Sequence, residues 1–289
     1  MTDCSKLASF RHSELLQASL GGDVRRALKE DVGSGDITAE LIDPAIQAHA
    51  EVISRDAGVF CGKPWVVEIC AQANAPIEVT WHVNDGDLLS EGALLFSLDG
   101  SARALLSIER TLLNFVQLLS GTATLTHHYT QLIGEHGARL LDTRKTVPGL
   151  RVAQKYAVHC GGGHNHRVGL FDAYLLKENH LSAAGGVAAA VGSARAANPG
   201  LSVEVEVESI EQLRQAIAAG ADIALLDNFS LADTTAAVEL ARGQIKLEAS
   251  GGITEDTITE IAATGVDYIS TGVITKQITP LDLSMRFTG

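Results

Sequence analysis

Residues 203–229 read VEVEVESIEQLRQAIAAGADIALLDNF. An apolar-rich run of strand length, Leu201–Val205, leads to Ser209, a good helix N-cap. Ile210 to Ala219 are mostly helix formers with apolar residues at helical spacing, and Gly220 is a C-terminal stop. A second apolar run, Ile223–Leu226, follows and ends at Asp227-Asn228. The order strand, helix, strand is a βα unit, which implies a parallel sheet.

The same design extends in both directions. Apolar runs of strand length occur at Arg139–Leu141, Ala173–Leu176, Ile245–Leu247 and Val266–Ile269, and Thr254–Thr264 repeats the helix with Gly265 as its stop. From Glu206 to Asp227, Asp227 to Ala249 and Ala249 to Ser270 the steps are 21, 22 and 21 residues. So short and even a period favours a barrel over an open sheet. Six strands are evident, so the expectation is an open or incomplete TIM-like α/β barrel. Residues 1–108 differ: Val52–Phe60 and Ile77–Val83 alternate like half-buried strands, and Asn84-Asp-Gly-Asp87 and Ser90-Glu-Gly92 read as turns before Ala93–Leu98. They predict a smaller N-terminal α+β sandwich domain over 1–108, a barrel over 109–276, and a C-terminal segment, 277–289, that packs back on the first domain. Ser107–Gly121 reads as an apolar helix with Arg110 near its start, an unfavourable place for a cation, which points equally to an anionic partner elsewhere or to pairing with Glu109 or exposure to solvent.

Composition narrows the function. The chain has 289 residues and a net charge of −13, which argues against a general nucleic-acid binder. No apolar run spans a membrane and Met1–Lys6 has no signal-peptide core, so a cytoplasmic protein is expected. Cys4, Cys61, Cys70 and Cys160 are scattered and fit reduced thiols. Against this acidic background, Arg139, Arg144, Lys145, Arg151, Lys155, Arg167 and Lys177 are opposed only by Asp142 and Asp172, a segment of +5 in a chain otherwise at −18. A basic island of this kind reads as an anion pocket.

Strand ends place the chemistry. Asp142-Thr-Arg-Lys145, Lys177-Glu-Asn179, Glu206, Asp227-Asn228, Ser250-Gly-Gly252 and Ser270-Thr-Gly272 each follow a strand. In a parallel α/β barrel these ends share one face, where the active site is built. The glycines of the last two loops allow backbone N–H groups to approach a phosphate closely, with a helix N-terminus behind. Glu206 and Asp227 could hold Mg²⁺ with a ligand phosphate, or pair with the nearby lysines. His159-Cys-Gly-Gly-Gly-His164-Asn-His166 has the residue types of a zinc site but no common spacing. A flexible glycine loop bringing His166 and Arg167 to an anion is the better reading. An aldolase using Lys177 as a Schiff base and a non-catalytic phosphoribosyl-ligand sensor remain open on these residues alone.

The motifs taken together resemble the quinolinate phosphoribosyltransferase family. The stretches that carry the likeness are Leu28–Thr38, Glu109–Phe115, Ser120–Thr124, Asp142–Gly149, Gly161–Arg167, Lys177–His180, Val203–Glu206, Leu226–Phe229 and Glu248–Ile253. The resemblance implies transfer of phosphoribosyl from phosphoribosyl pyrophosphate to quinolinate, with loss of pyrophosphate and CO₂ to give nicotinate mononucleotide in NAD biosynthesis. It implies Mg²⁺ and a homodimer. Carried over by motif, Arg144, Arg167 and Lys177 bind the quinolinate carboxylates with His166 beside them, and Thr143 lies in the same substrate-binding strand end. Arg110 would reach the partner's site. Lys145 would contact the phosphoribosyl donor. Glu206 and Asp227 would meet the ribose hydroxyls and Mg²⁺, directly or through ligand or water. Ser250, Gly251, Gly252, Thr271, Gly272 and Val273 would hold the 5′-phosphate. The groups expected to act in the chemistry are Lys145, Lys177, Glu206 and Asp227.

Overall fold

The computed structural model describes residues 9–288, which divide into two compact units. One holds the chain up to His127, residues 146–162 and the C-terminal segment from Gln277. The other holds 128–145 and 163–276. Cys61, Cys70 and Cys160 are buried free thiols, and Cys4 lies outside the described residues. Among the described residues no helix is long and apolar enough to cross a membrane.

The first unit has helices α1 (Ser13–Val32), α2 (Lys63–Gln72), α3 (Ala102–Ile133) and α4 (Arg151–Cys160), of which α3 continues beyond the unit. Its strands are β1 (Gln47–Ser54), β2 (Gly58–Val59), β3 (Ile77–Trp81), β4 (Leu88–Leu89) and β5 (Leu94–Ser101). The main sheet is antiparallel, ordered C-terminal strand Leu283–Phe287, β1, β5, β3. Val52 sits between Met285 and Phe96 in register. The run Val52–Phe60, expected as one strand, breaks at the turn after Ser54, and its second part pairs with β4 in a separate ribbon. Trp65, Phe60, Phe96, Leu105, Leu112 and Tyr156 are fully buried in this unit's core.

Helix α3 corrects one expectation. It starts at Ala102, not Ser107, because β5 runs straight into it and Ala102–Ser107 are good helix formers with no breaker. Arg110 therefore lies in the third turn, and no unfavourable helix-start position needs explaining. The expected boundary at 108/109 falls inside this continuous helix. The Ser120–Thr124 motif serves packing. Ser120 Oγ accepts from Cys61 N–H at 3.0 Å, and Thr124 Oγ1 accepts from Val59 N–H at 2.8 Å. A Cβ on Gly121 would meet the Thr279 carbonyl oxygen at 2.3 Å.

The second unit has strands β6 (Arg139–Leu141), β7 (Tyr174–Leu176), β8 (Val203–Val207), β9 (Ile223–Asp227), β10 (Lys246–Ser250) and β11 (Tyr268–Ser270). Its helices are α5 (Glu178–Ala184), α6 (Val187–Ala197), α7 (Ile210–Ala219), α8 (Leu231–Ala241), α9 (Glu255–Ala263) and α10 (Val273–Lys276). All six strands are parallel, ordered β6-β11-β10-β9-β8-β7. The last strand has paired with the first, as in a barrel, and the opening lies between β6 and β7. Local signals set the helices: Ser209 Oγ accepts from Gln212 N–H, Gly220 stops α7 in the left-handed region at φ 75°, and Ser230 caps α8.

Candidate active site

Side-chain alternation decides which strand residues face the interior. Residues i and i+2 share a face of a strand. Leu175 and Lys177 follow this rule along and just past β7, as do Leu225 and Asp227 on β9 and Glu248 and Ser250 on β10. These six, together with Glu206 and Ser270, line one cavity of about 400 Å³ at the strand C-termini. Thr143, Arg144, Lys145, His166, Arg167 and Gly251 complete its wall. Of the expected site residues, Gly252, Thr271, Gly272 and Val273 do not line it. Gly272 does lie against Lys145, where a Cβ would meet that side chain's Cδ at 3.0 Å. Arg110 is exposed on the part of α3 that belongs to the other unit. His159 and Cys160 also belong to that unit, whereas His164 and His166 belong to this one.

Four cations converge on the cavity. Past β6, Thr143 Oγ1 accepts from the Lys145 N–H at 3.0 Å, a tight turn that sends Arg144 and Lys145 to the same cavity. Thr275 Oγ1 donates to the Lys145 carbonyl at 2.7 Å and ties this turn to α10. Arg167 comes from the irregular segment before β7 and donates to the Ala173 carbonyl at 3.4 Å. Burial, and then the neighbouring Arg144 charge, lower its affinity for the proton. Two guanidiniums that repel each other in a half-buried basin are poised for a ligand with more than one negative charge.

The carboxylates fall into two tiers. Glu206 pairs with Lys177 at the mouth, and Asp227 sits beside Ser250 in register. Below them, Glu204 and Glu248 are buried on β8 and β10, and their ligand-type atoms and His166 Nε2 lie within 4.8 Å of one another. His166 Nε2 is 2.9 Å from Glu204 Oε2 and 3.5 Å from Glu248 Oε2. Burial and the adjacent Glu204 charge push the Glu248 carboxyl up to about 8. Sequence reasoning passed over both glutamates, although each has the parity of a residue it did select: Glu204 with Glu206, Glu248 with Ser250. The buried Asp142 was also passed over. It accepts from Asn165 Nδ2 at 2.7 Å and from His166 N–H at 2.9 Å.

The glycine loop after β10 is conformationally demanding. Gly251 has φ 92°, and a Cβ there would meet Asn228 Oδ1 at 2.2 Å, so only glycine fits. Asn228 N–H in turn donates to the Ser250 carbonyl at 3.0 Å. Helix α9 itself is already capped by Thr254 and Thr257, with Glu255 and Asp256 in its first turn. Any anion at this loop would therefore meet the backbone of the glycines rather than the start of α9.

The fold and these residues have close counterparts. The description "Quinolinate phosphoribosyl transferase, N-terminal domain" matches residues 36–120, and its C-terminal domain matches 122–286. A probable nicotinate-nucleotide pyrophosphorylase (carboxylating) of Bacillus subtilis is 42% identical over 260 residues, covering 90% of each chain. A quinolinate phosphoribosyltransferase (decarboxylating) of Nicotiana tabacum is 37% identical over 284 residues, covering 91% of this chain and 80% of its own. The solved nicotinate-nucleotide pyrophosphorylase of Francisella tularensis superposes with a TM-score of 0.90 at 48% identity, covering 94% of this chain and 96% of that one. By both of its domains and over nearly its whole length, the chain belongs to the quinolinate phosphoribosyltransferase family.

Proposed function

We propose that the cavity at the barrel's strand ends is where the family's reaction takes place, with Arg144, Arg167 and Lys177 binding the two carboxylates of quinolinate. The observation that carries this reading is the meeting of those three cations with Glu206 and Asp227 in one cavity. The reaction joins quinolinate to the phosphoribosyl group of phosphoribosyl pyrophosphate and releases pyrophosphate and CO₂, giving nicotinate mononucleotide for NAD biosynthesis. The chain is thus a decarboxylating pentosyltransferase.

The side chains suit each need of that chemistry. Planar guanidiniums donate paired hydrogen bonds to carboxylates and so orient the pyridine ring. The ring nitrogen is the nucleophile, so no protein nucleophile is required. Positive charge develops on the ribose as pyrophosphate departs, and Glu206 and Asp227 are placed to offset it. Lys145 supports the leaving anion. Ser250, Gly251 and Gly252, with Thr271, Gly272 and Val273 behind Lys145, are assigned to the 5′-phosphate. Once glycosylated, the ring nitrogen is cationic and stabilises the carbanion left by CO₂, and the protein's remaining task is positioning. Glu206 and Asp227 supply the hard oxygen donors that suit Mg²⁺. When bound with a phosphorylated ligand, the ion would neutralise the leaving pyrophosphate.

The chain is assigned to a homodimer in which Arg110 of a second copy completes the quinolinate site. In support, the Arg110 side chain is exposed. A cytoplasmic location fits the buried free thiols. The test mixes the purified protein with quinolinate, phosphoribosyl pyrophosphate and Mg²⁺, with nicotinate as a parallel acceptor. Nicotinate mononucleotide from quinolinate alone is expected; no product from quinolinate would overturn the assignment. Mixing Arg110→Ala with Arg144→Ala subunits should restore part of the activity that each variant lacks. No recovery after verified subunit exchange would remove Arg110 from the shared site.

A further inference from the structure

In the wall of the cavity and just below it lies a pair of carboxyls that the reaction does not use. Glu204 and Glu248 are buried carboxyls on alternate strands of the barrel, β8 and β10. Glu204 Oε1 and both Glu248 oxygens meet no well-aligned donor among the described residues, although the Ser270 hydroxyl and the two carboxyls themselves lie side by side. Leaving buried acceptors unsatisfied costs stability, and two neighbouring carboxyls cost more than an apolar filling of the same volume. In a folded protein such a cost marks a place where something besides stability is being served.

What both glutamates face is His166. Its Nδ1 accepts from the Arg167 N–H at 2.7 Å, so that nitrogen carries the lone pair and the ring proton resides on Nε2. Nε2 then donates to Glu204 at 2.9 Å. The ring is a strut, with the carboxyl pair at one end and the main chain of Arg167 at the other. The strut matters because 163–167 is irregular and has only one isolated bridge, Leu141 to His164, to the sheet. His166 is also held through its own N–H to Asp142, whose other oxygen accepts from the neighbouring Asn165. Arg167 must be held in place against the repulsion of Arg144, and Glu204 lends it a compensating charge.

We propose that Glu204, seconded by Glu248, is a positioning residue that fixes the His166 ring in its Nε2–H form and thereby aims Arg167 at the acceptor. This rests on the assignment of the cavity to quinolinate. It predicts an effect on the acceptor and not on the phosphoribosyl donor. Glu204→Leu should raise KM for quinolinate about tenfold, and leave KM for phosphoribosyl pyrophosphate within about twofold. Glu204→Gln keeps an oxygen that can accept from Nε2–H and should recover most of the loss. Nitrogen-15 spectra of the unliganded wild-type protein should show His166 protonated on Nε2 alone, and Glu204→Leu should convert this to a tautomer mixture.

A wild-type His166 protonated on Nδ1 would overturn the proposal whether or not Glu204→Leu folds. So would an unchanged quinolinate KM in Glu204→Leu, or an equal rise in both KM values. A wild-type protein that does not turn over quinolinate would instead strike the assignment of the cavity.

Discussion

Asp85 in the first unit and Glu248 in the barrel unit are both buried, and burial raises the pKa of each. Asp85 Oδ1 accepts from Gly62 N–H at 2.7 Å and Lys63 N–H at 3.2 Å, capping the start of α2, and its Oδ2 accepts from Tyr156 at 2.6 Å. Glu248 has no such set of donors. Depth alone therefore does not mark a functional acid. A structural acid is surrounded by groups that would be orphaned without it, whereas Glu248 is itself left incomplete in the wall of a cavity.

The largest effect should appear in the pH dependence of stability at Glu248. Glu248 ordinarily titrates near 4.5 but is pushed to about 8 in the folded chain. Between those values the folded state holds a proton that the unfolded state has released. Stability is therefore fullest below about 4.5 and declines as pH rises toward 8. Glu248→Gln removes that titration, so its stability relative to wild type should climb across this window, by at most about 5 kcal/mol. Urea unfolding at several pH values measures it, and a pH-independent difference would mean that Glu248 stays ionised.

Asp85 should differ in what its removal leaves behind. Asp85→Ala leaves the Tyr156 hydroxyl and two α2 N–H groups without their acceptor. It should cost about 3 kcal/mol at neutral pH and leave KM values alone. If the cost is below about 1 kcal/mol, complete hydrogen bonding is not what distinguishes the two acids. A third and smaller effect concerns the barrel's local rules. Ser209 caps α7 away from the cavity, and Ser209→Ala should cost about 1 kcal/mol with unchanged kinetics.

Much of the barrel was legible because its signals are local. Ser209 and Gly220 bracket α7 as their chemistry requires, and the even step between strand ends announces the parallel sheet. The cations of the cavity were legible as a basic island, since each follows a strand or precedes one. The start of α3 was not, because Ser101 and Ala102 join strand to helix with no turn residue between them. Nor was α1, where Gly21-Gly22 and scattered charges blur the apolar period. Helix α4 comes from the middle of the basic island yet packs in the first unit, where Tyr156 meets Asp85, a partner 71 residues away. No local pattern encodes such a contact. Glu204 and Glu248 were encoded by strand parity, and an apolar-inside expectation for strand residues hid them.

The smallest expected change in stability belongs to the pair at the cavity mouth. Lys177 bonds Glu206, but its side chain is 48% exposed. Water and salt screen such a pair, and it contributes little to folding. Lys177→Met should therefore shift stability by less than about 0.5 kcal/mol. Its effect on catalysis should be large, because an entering dicarboxylate competes with Glu206 for the ammonium. A loss of about a hundredfold in kcat/KM for quinolinate is expected, equivalent to about 2.7 kcal/mol of transition-state stabilisation. In the unliganded protein the pair holds the ammonium in place at little energetic gain, so exchanging partners costs little. Glu206, once released, is free to turn toward the ribose. A variant that unfolds readily would place Lys177 with Asp85 as a structural partner, and one that keeps its activity would remove Lys177 from the quinolinate site.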